Sequence, residues 1–307
     1  MPTPRGGGLA LVIGALAATV TSSHLVGPPR TALVLVTLGL GGLGFTEDLY
    51  GVPAKTRLLA QLGMGVVVLP SLAYSMGGSN LWQIVFAAGA VAWIAAYVNA
   101  FNFMDGINGI SAAQAFFAGV AWWLIGERAG VGELAAIGAV AAGVALAFLP
   151  VNFPKAAVFL GDVGSYFLGG WLAVGVVLGI RAGVAPVGVL SPMALYLADT
   201  SVTIVQRYRR GEAILEAHRS HAYQRLVALG WSHMHAVLVV SAGIVTCAAA
   251  GYWALDGGRG RHMMATAIIM AVVAVYLCLP ADVARRHRKR ERLAAHREAR
   301  TGSSVVA

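Results

Sequence analysis

Between Asn99 and Ser111 the chain reads Asn-Ala-Phe-Asn-Phe-Met-Asp-Gly-Ile-Asn-Gly-Ile-Ser, set between the apolar runs Trp82 to Phe101 and Ile110 to Ile125. The amides of Asn99, Asn102 and Asn108 and the carboxylate of Asp105 are costly to leave without partners in an apolar medium. They must therefore meet one another, water or a ligand. Gly106 and Gly109 let the backbone turn sharply or approach a ligand closely. Three other stretches carry comparable chemistry: Glu47 and Asp48 with Lys55 and Arg57 behind them, Asp162 three residues before Ser165, and His218-Arg219-Ser220-His221. Asp199 adds a carboxylate inside an apolar run, about two turns before Arg207, and an intramembrane carboxylate is a functional candidate by default.

Each stretch also has a plainer reading. Glu47 and Asp48 could form a solvated cluster beside a membrane with Lys55 and Arg57. Asp162 could be a helix cap, and Ser165 is placed to cap the same helix, whose N-terminus favours an anion. His218 and His221 could be surface histidines. Convergence favours the functional reading: carboxylates from three separate loops, with basic groups among them, suit a divalent cation that clamps phosphates.

The elements that must position these groups are membrane helices. The chain has 307 residues, 58% hydrophobic and 11% charged, with a mean hydropathy of +0.74. Soluble domains carry about 25% charged residues. Ten spans are expected, at roughly 9–26, 31–46, 58–75, 82–101, 110–126, 133–151, 165–181, 186–205, 234–254 and 262–281, each near the length of about 20 residues that a spanning helix needs. This is an all-α polytopic bundle, read as one domain over 1–281 with a basic tail over 282–307. The start shows no cleavage pattern and is expected to stay on the chain. Cys247 and Cys278 fall in apolar runs and read as buried hydrophobes.

The connections alternate between short, bland ones and longer ones bearing the chemistry. The chemistry-bearing set holds 17 of the 22 Lys and Arg, which places it in the cytoplasm by the positive-inside rule. The tail contributes eight basic residues against Asp282, Glu291 and Glu298. Such a run after a membrane helix fixes topology and touches anionic lipid. Without stacking aromatics among the charges, it does not suggest a nucleic-acid partner.

The motifs resemble those of the polyprenyl-phosphate N-acetylhexosamine-1-phosphate transferases, the family that also contains phospho-N-acetylmuramoyl-pentapeptide transferase. The matching pieces are Pro2-Thr-Pro-Arg-Gly-Gly-Gly8, Gly44-Phe-Thr-Glu-Asp48, Asn99 to Gly109, Val158-Phe-Leu-Gly-Asp-Val-Gly-Ser165 and His218-Arg-Ser-His221, in family order over residues 1 to about 230. The His-Arg-Ser-His-x-Tyr-Gln-Arg variant looks most like the branch that starts O-antigen, lipopolysaccharide or related surface glycans. Three departures stand out. Glu47 replaces the first Asp of an Asp-Asp pair, Asn108 stands where many members have Asp, and the sequence opens on the Pro-Thr-Pro-Arg segment, which in the family normally follows a further helix.

The resemblance implies a bacterial inner-membrane enzyme with cytoplasmic active-site loops and C-terminus. It would move a sugar-1-phosphate from a UDP-sugar to undecaprenyl phosphate and release UMP, using Mg²⁺, or Mn²⁺ in its place. Asp162 is then the metal ligand, and Asp48 a polar contact to the metal or the base on the acceptor phosphate. Glu47 contributes its charge. Asn102 and Asp105 bind the nucleotide; Asp105 is also grouped with the catalytic carboxylates, and Asn99 and Asn108 with the substrate contacts. His218 and His221 hold the diphosphate, Arg219 is grouped with the substrate contacts, Lys55 contacts a phosphate, and Asp199 orients the polar centre. A homodimer is left open.

Two other classes fit the sequence less well. An ion-coupled transporter expects paired repeats and polar groups near the midplane, whereas here they gather at one face. A prenyltransferase expects carboxylates four residues apart, but positions 52, 109, 166 and 203 are Val, Gly, Tyr and Thr.

Overall fold

The computed structural model describes residues 3–73, 80–213 and 219–303. Among them the regular elements are helices alone: α1 (Gly8–Thr21), α2 (Gly27–Tyr50), α3 (Ala54–Ala73), α4 (Asn80–Met104), α5 (Ile110–Ala129), α6 (Gly132–Asn152), α7 (Gly161–Arg181), α8 (Pro186–Leu190), α9 (Ala194–Arg209), α10 (Ala222–Ala228), α11 (His233–Ala254) and α12 (Arg259–Ser303). A 3-10 turn, Ser191–Met193, joins α8 to α9 into one bent span. Pro28 and Pro29 open α2, where a missing N–H costs nothing.

The all-helical membrane class holds. Each expected span overlaps a helix, and seven spans among the described residues are long and apolar enough to cross a membrane. The other three expectations fall on α1, of only 14 residues, on α3, whose first turns carry Lys55, Arg57 and Gln61, and on α5, which buries Gln114 and ends on Glu127 and Arg128. The helices overrun the expected boundaries on the chemistry-bearing side. No breaker follows Phe45 until Gly51, so Glu47 and Asp48 lie in the last turn of α2 instead of in a loop. Asn102 likewise closes α4. The expected tail continues α12 as helix through Ser303.

The helix at the centre is α7. Every residue from Val163 to Gly179 is buried, and α2, α4, α1 and α6 pack around it. Its Gly164 lets the backbone of α1 approach at Gly8, where a methyl group on either glycine would strike the other chain segment. A large apolar cluster runs through the bundle, with Trp122, Trp171, Tyr97 and Phe167 among its largest members, and a small second one gathers Ala250, Ala254 and Ala265. The large cluster fixes α7, and α7 presents its first turn to one end of the bundle.

Candidate active site

The last turn of α2 meets the first turn of α7. Asp48 Oδ1 accepts from the backbone N–H of Asp162 at 3.0 Å, and Oδ2 from that of Val163 at 3.0 Å. A carboxylate from another helix thus satisfies the orphan donors of α7 and lies against the positive end of its dipole. Gly161 makes room: it sits at φ +74, and a Cβ there would come 2.6 Å from Asp48 Oδ2. The expected cap by Ser165 is therefore corrected, because that residue lies a full turn inside the helix. Asp162 is not the cap either. Its Oδ1 accepts from Asn102 Nδ2 at 2.6 Å, and the same amide donates to Ser165 Oγ at 2.9 Å.

The start of the chain completes the wall. Gly7 N–H donates to Phe159 O at 3.0 Å, Gly8 N–H to Leu160 O at 2.9 Å, and Phe159 N–H to Pro4 O at 2.9 Å. This short ladder lays residues 4–8 beside the entry to α7 and brings Arg5 to a cleft of about 420 Å³. Asp48, Asn102, Asp105, Asn108, Asp162 and Arg219 line the same cleft, so six expected site residues from four chain segments converge. Asn152, at the end of α6, shapes the rim: Oδ1 accepts from Gly109 N–H at 2.7 Å and Nδ2 donates to Val158 O at 2.9 Å.

The charges are arranged in opposition. Burial pushes the Asp105 carboxyl up to about 7; Ser111 works against the rise, and the carboxylates of Asp162 and Asp48 add to it. Arg5 and Arg219 are the cationic residues lining the cleft among the described residues.

The other expected site residues lie elsewhere. Glu47 points away from the cleft, accepting from Arg57 Nη1 at 2.9 Å and from the Val52 N–H, while Arg57 also reaches Tyr166 OH at 3.3 Å. Lys55 is exposed and outside the cleft lining. Asn99 donates to Gln61 Oε1 and to Ala95 O, joining α3 to α4. Asn108 lines the cleft while donating to Pro154 O at 3.3 Å. His221 is fully buried, not a surface histidine, with Nδ1 at 3.2 Å from Asp199 Oδ1. Both stand behind the cleft wall rather than on it. His218 lies outside the described residues.

Does this donor set suit Mg²⁺? Among the described residues no group of three His, Cys, Asp or Glu side chains converges into a ready-made cage. Mg²⁺ ordinarily takes one or two carboxylates, substrate phosphates and several waters, at about 2.0–2.1 Å. Asp162 and Asp105 lining one open cleft fit that habit, whereas Asp48 already accepts a backbone N–H at each of its oxygens.

In the sequence Arg5 stands out only as part of the Pro2 to Gly8 segment, and Asn152 does not stand out at all. The backbone pairing that carries Arg5 inward has no side-chain signature.

The profile of glycosyl transferase family 4 matches residues 30–180. The chain is 32% identical to the decaprenyl-phosphate N-acetylglucosaminephosphotransferase of Mycolicibacterium smegmatis, over 91% of this chain and 79% of that one. It is 28% identical to the "Probable undecaprenyl-phosphate N-acetylglucosaminyl 1-phosphate transferase" of Bacillus subtilis, over 77% of this chain and 69% of that one. With the phospho-N-acetylmuramoyl-pentapeptide-transferase of Phenylobacterium zucineum the identity is 30%, over 77% and 74% respectively.

Proposed function

The chain belongs to glycosyl transferase family 4 and is a sugar-phosphate transferase, and we propose that it moves N-acetylhexosamine 1-phosphate from a UDP-sugar to undecaprenyl or a related polyprenyl phosphate. The observation that carries this reading is the meeting of Asp48, Asp105 and Asp162 with Arg5 and Arg219 in one cleft at the end of a membrane bundle. A water-soluble donor and a lipid-borne acceptor can meet only at such an interface. The positive-inside count supports the cytoplasmic face of a bacterial inner membrane. The relatives' names support N-acetylglucosamine as the sugar and a polyprenyl phosphate as the acceptor.

An oxygen of the acceptor phosphate bonds to the donor phosphorus that carries the sugar, the pyrophosphate bond breaks, and UMP leaves with the bridging oxygen. An ionised acceptor needs no base, so positioning and electrostatics supply most of the rate. Arg5 and Arg219 offset the repulsion between donor and acceptor phosphates. Asn102 fixes the Asp162 carboxylate, and Asp48 fixes the turn that bears it. That supports a positioning role for Asp48 over a role as base. Asp105 and Asn108 face the space left for the nucleotide. Asp162 would hold Mg²⁺, whose chemistry there would be to neutralise phosphate charge.

Membranes containing the protein, incubated with a panel of UDP-sugars and undecaprenyl phosphate, should release UMP with UDP-N-acetylglucosamine and no UMP when the lipid is omitted. UMP release independent of the lipid would sink the acceptor assignment.

A further inference from the structure

Asp199 is 1% exposed and collects donors from three helices. Its Oδ1 and Oδ2 accept from Ala222 N–H at 3.1 and 3.0 Å, and Thr203 Oγ1 of its own helix lies at 3.3 Å. Its Oδ2 also accepts from the hydroxyl of Tyr276, on α12, at 2.6 Å. What this carboxylate holds is the first turn of α10, and that turn faces the cleft wall. Tyr223 OH donates to Phe103 O at 3.4 Å, and Gln224 closes back on the His221 N–H at 3.2 Å. Gly106, beside Asp105, has no room for a Cβ because Tyr223 and Gln224 press on it. Arg219 lines the cleft two residues before His221. An unbroken set of contacts therefore runs from α12 through Asp199 to the walls that carry Asp105 and Arg219.

We propose that Tyr276 is a positioning residue for the donor side of the cleft, acting through Asp199 on the segment from Arg219 to Tyr223. The inference rests on the transfer reading above for its kinetic consequence, and on geometry alone for the tie itself. Tyr276 is 3% exposed, so water does not replace its hydroxyl once removed. Asp199 then loses the donor that sets the plane of its carboxylate, and the backbone at 221–222 loses its fixed acceptor. The loop bearing Arg219 loosens while α7, Asp48 and Asp162 stay in place. Tyr276, Asp199 and His221 all lie outside the matched residues 30–180.

The test uses the full chain in detergent. Since misplacement by about 1 Å can cost on the order of 100-fold, Tyr276→Phe is expected to raise the KM for UDP-N-acetylglucosamine by roughly tenfold, with the KM for undecaprenyl phosphate unchanged. Amide hydrogen exchange should quicken at 219–229 and 103–109 and stay as in the parent over α7. Asp199→Asn should share the donor effect, and the double variant should fall short of the product of the two, as coupled neighbours do. An unchanged donor KM overturns the proposal. So does an equal rise in both KM values with exchange quickened throughout the bundle, which marks a merely structural side chain. If the parent protein turns over no UDP-sugar, the transfer reading fails separately. Exchange then decides the tie: local quickening upholds it, and unchanged exchange at 219–229 overturns it.

Discussion

Asp48 caps the helix that presents Asp162: both oxygens of the first carboxylate accept backbone N–H groups from the first turn bearing the second, at 3.0 Å each. The two acids differ in kind despite sharing a cleft. One holds the frame, and the other faces the space where phosphates would lie.

Asp162→Asn should cut activity on the order of 100- to 1000-fold, the usual cost of one electrostatic partner in a preorganised site, while the thermal midpoint in detergent stays within a few degrees. Asp48→Asn should lower both activity and midpoint, because N-cap carboxylates contribute about 1 kcal/mol. A full loss of activity with unchanged midpoint in Asp48→Asn would return the residue to the reaction itself.

Asp105 gives a pH signature in the ligand-free protein. Its carboxyl is raised to about 7 in the fold, against about 3.9 in an unfolded chain. A raised carboxyl means that the folded state binds the proton more tightly than the unfolded state does. Stability from this group is therefore full below about pH 4 and is lost as pH climbs toward 7. Asp105→Asn should leave the midpoint near that of the parent at pH 4 and well above it at pH 8. A parallel offset at both pH values would remove the carboxyl as the cause.

Arg5→Ala should reduce transfer by roughly 100-fold, at the lower edge of an electrostatic loss, without loosening the ladder, whose bonds use backbone atoms of residues 4–8. Arg5→Lys should recover only part, since an ammonium lacks the planar fork for phosphate oxygens. Equal activity in all three proteins would leave Arg5 a topological charge and nothing more.

Glu47→Asp should keep most activity and Glu47→Gln should lose part of it, through Arg57. The carboxylate pairs with that guanidinium at 2.9 Å and does not line the cleft. The informative measurement is Arg57→Gln made alone and together with Glu47→Gln. If the double variant is much worse than either single, Glu47 works by a route other than the pair.

Topology can be read with cysteines. In a background lacking Cys247 and Cys278, a cysteine at Gly258, which is open to space, should react with an impermeant reagent added outside intact cells. One at Ala54 should react only after permeabilisation. The reverse pattern would move the cleft to the outer face.

The sequence made the helices legible because the apolar runs are long and few charges interrupt them. It made the cleft legible because Asp48, Asn102, Asp105 and Asp162 are costly groups at run ends. Boundaries were less visible: without a breaker before Gly51, α2 overran its apolar stretch. Direction was hidden as well. Glu47 and Asp48 are adjacent on a helix, about 100° apart around its axis, so only one can face the cleft. Spacing does not say which. Asp199 looked exposed to function, but the five contacts that absorb it come from distant segments at 203, 221–222 and 276.

The burial of α7 bears on how the protein meets bilayers of different thickness. Helices that touch lipid tilt or bend when the hydrocarbon layer thins or thickens, at a cost of fractions of a kcal/mol per Å. From Val163 to Gly179, α7 has no buried face and lipid face to reconcile, since all of it is enclosed. Thickness changes are taken up by the surrounding helices, such as α12, most of whose span is open to the surroundings. The carboxylate of Asp162 thus rides on an axle, and the wheel around it can lean without turning it.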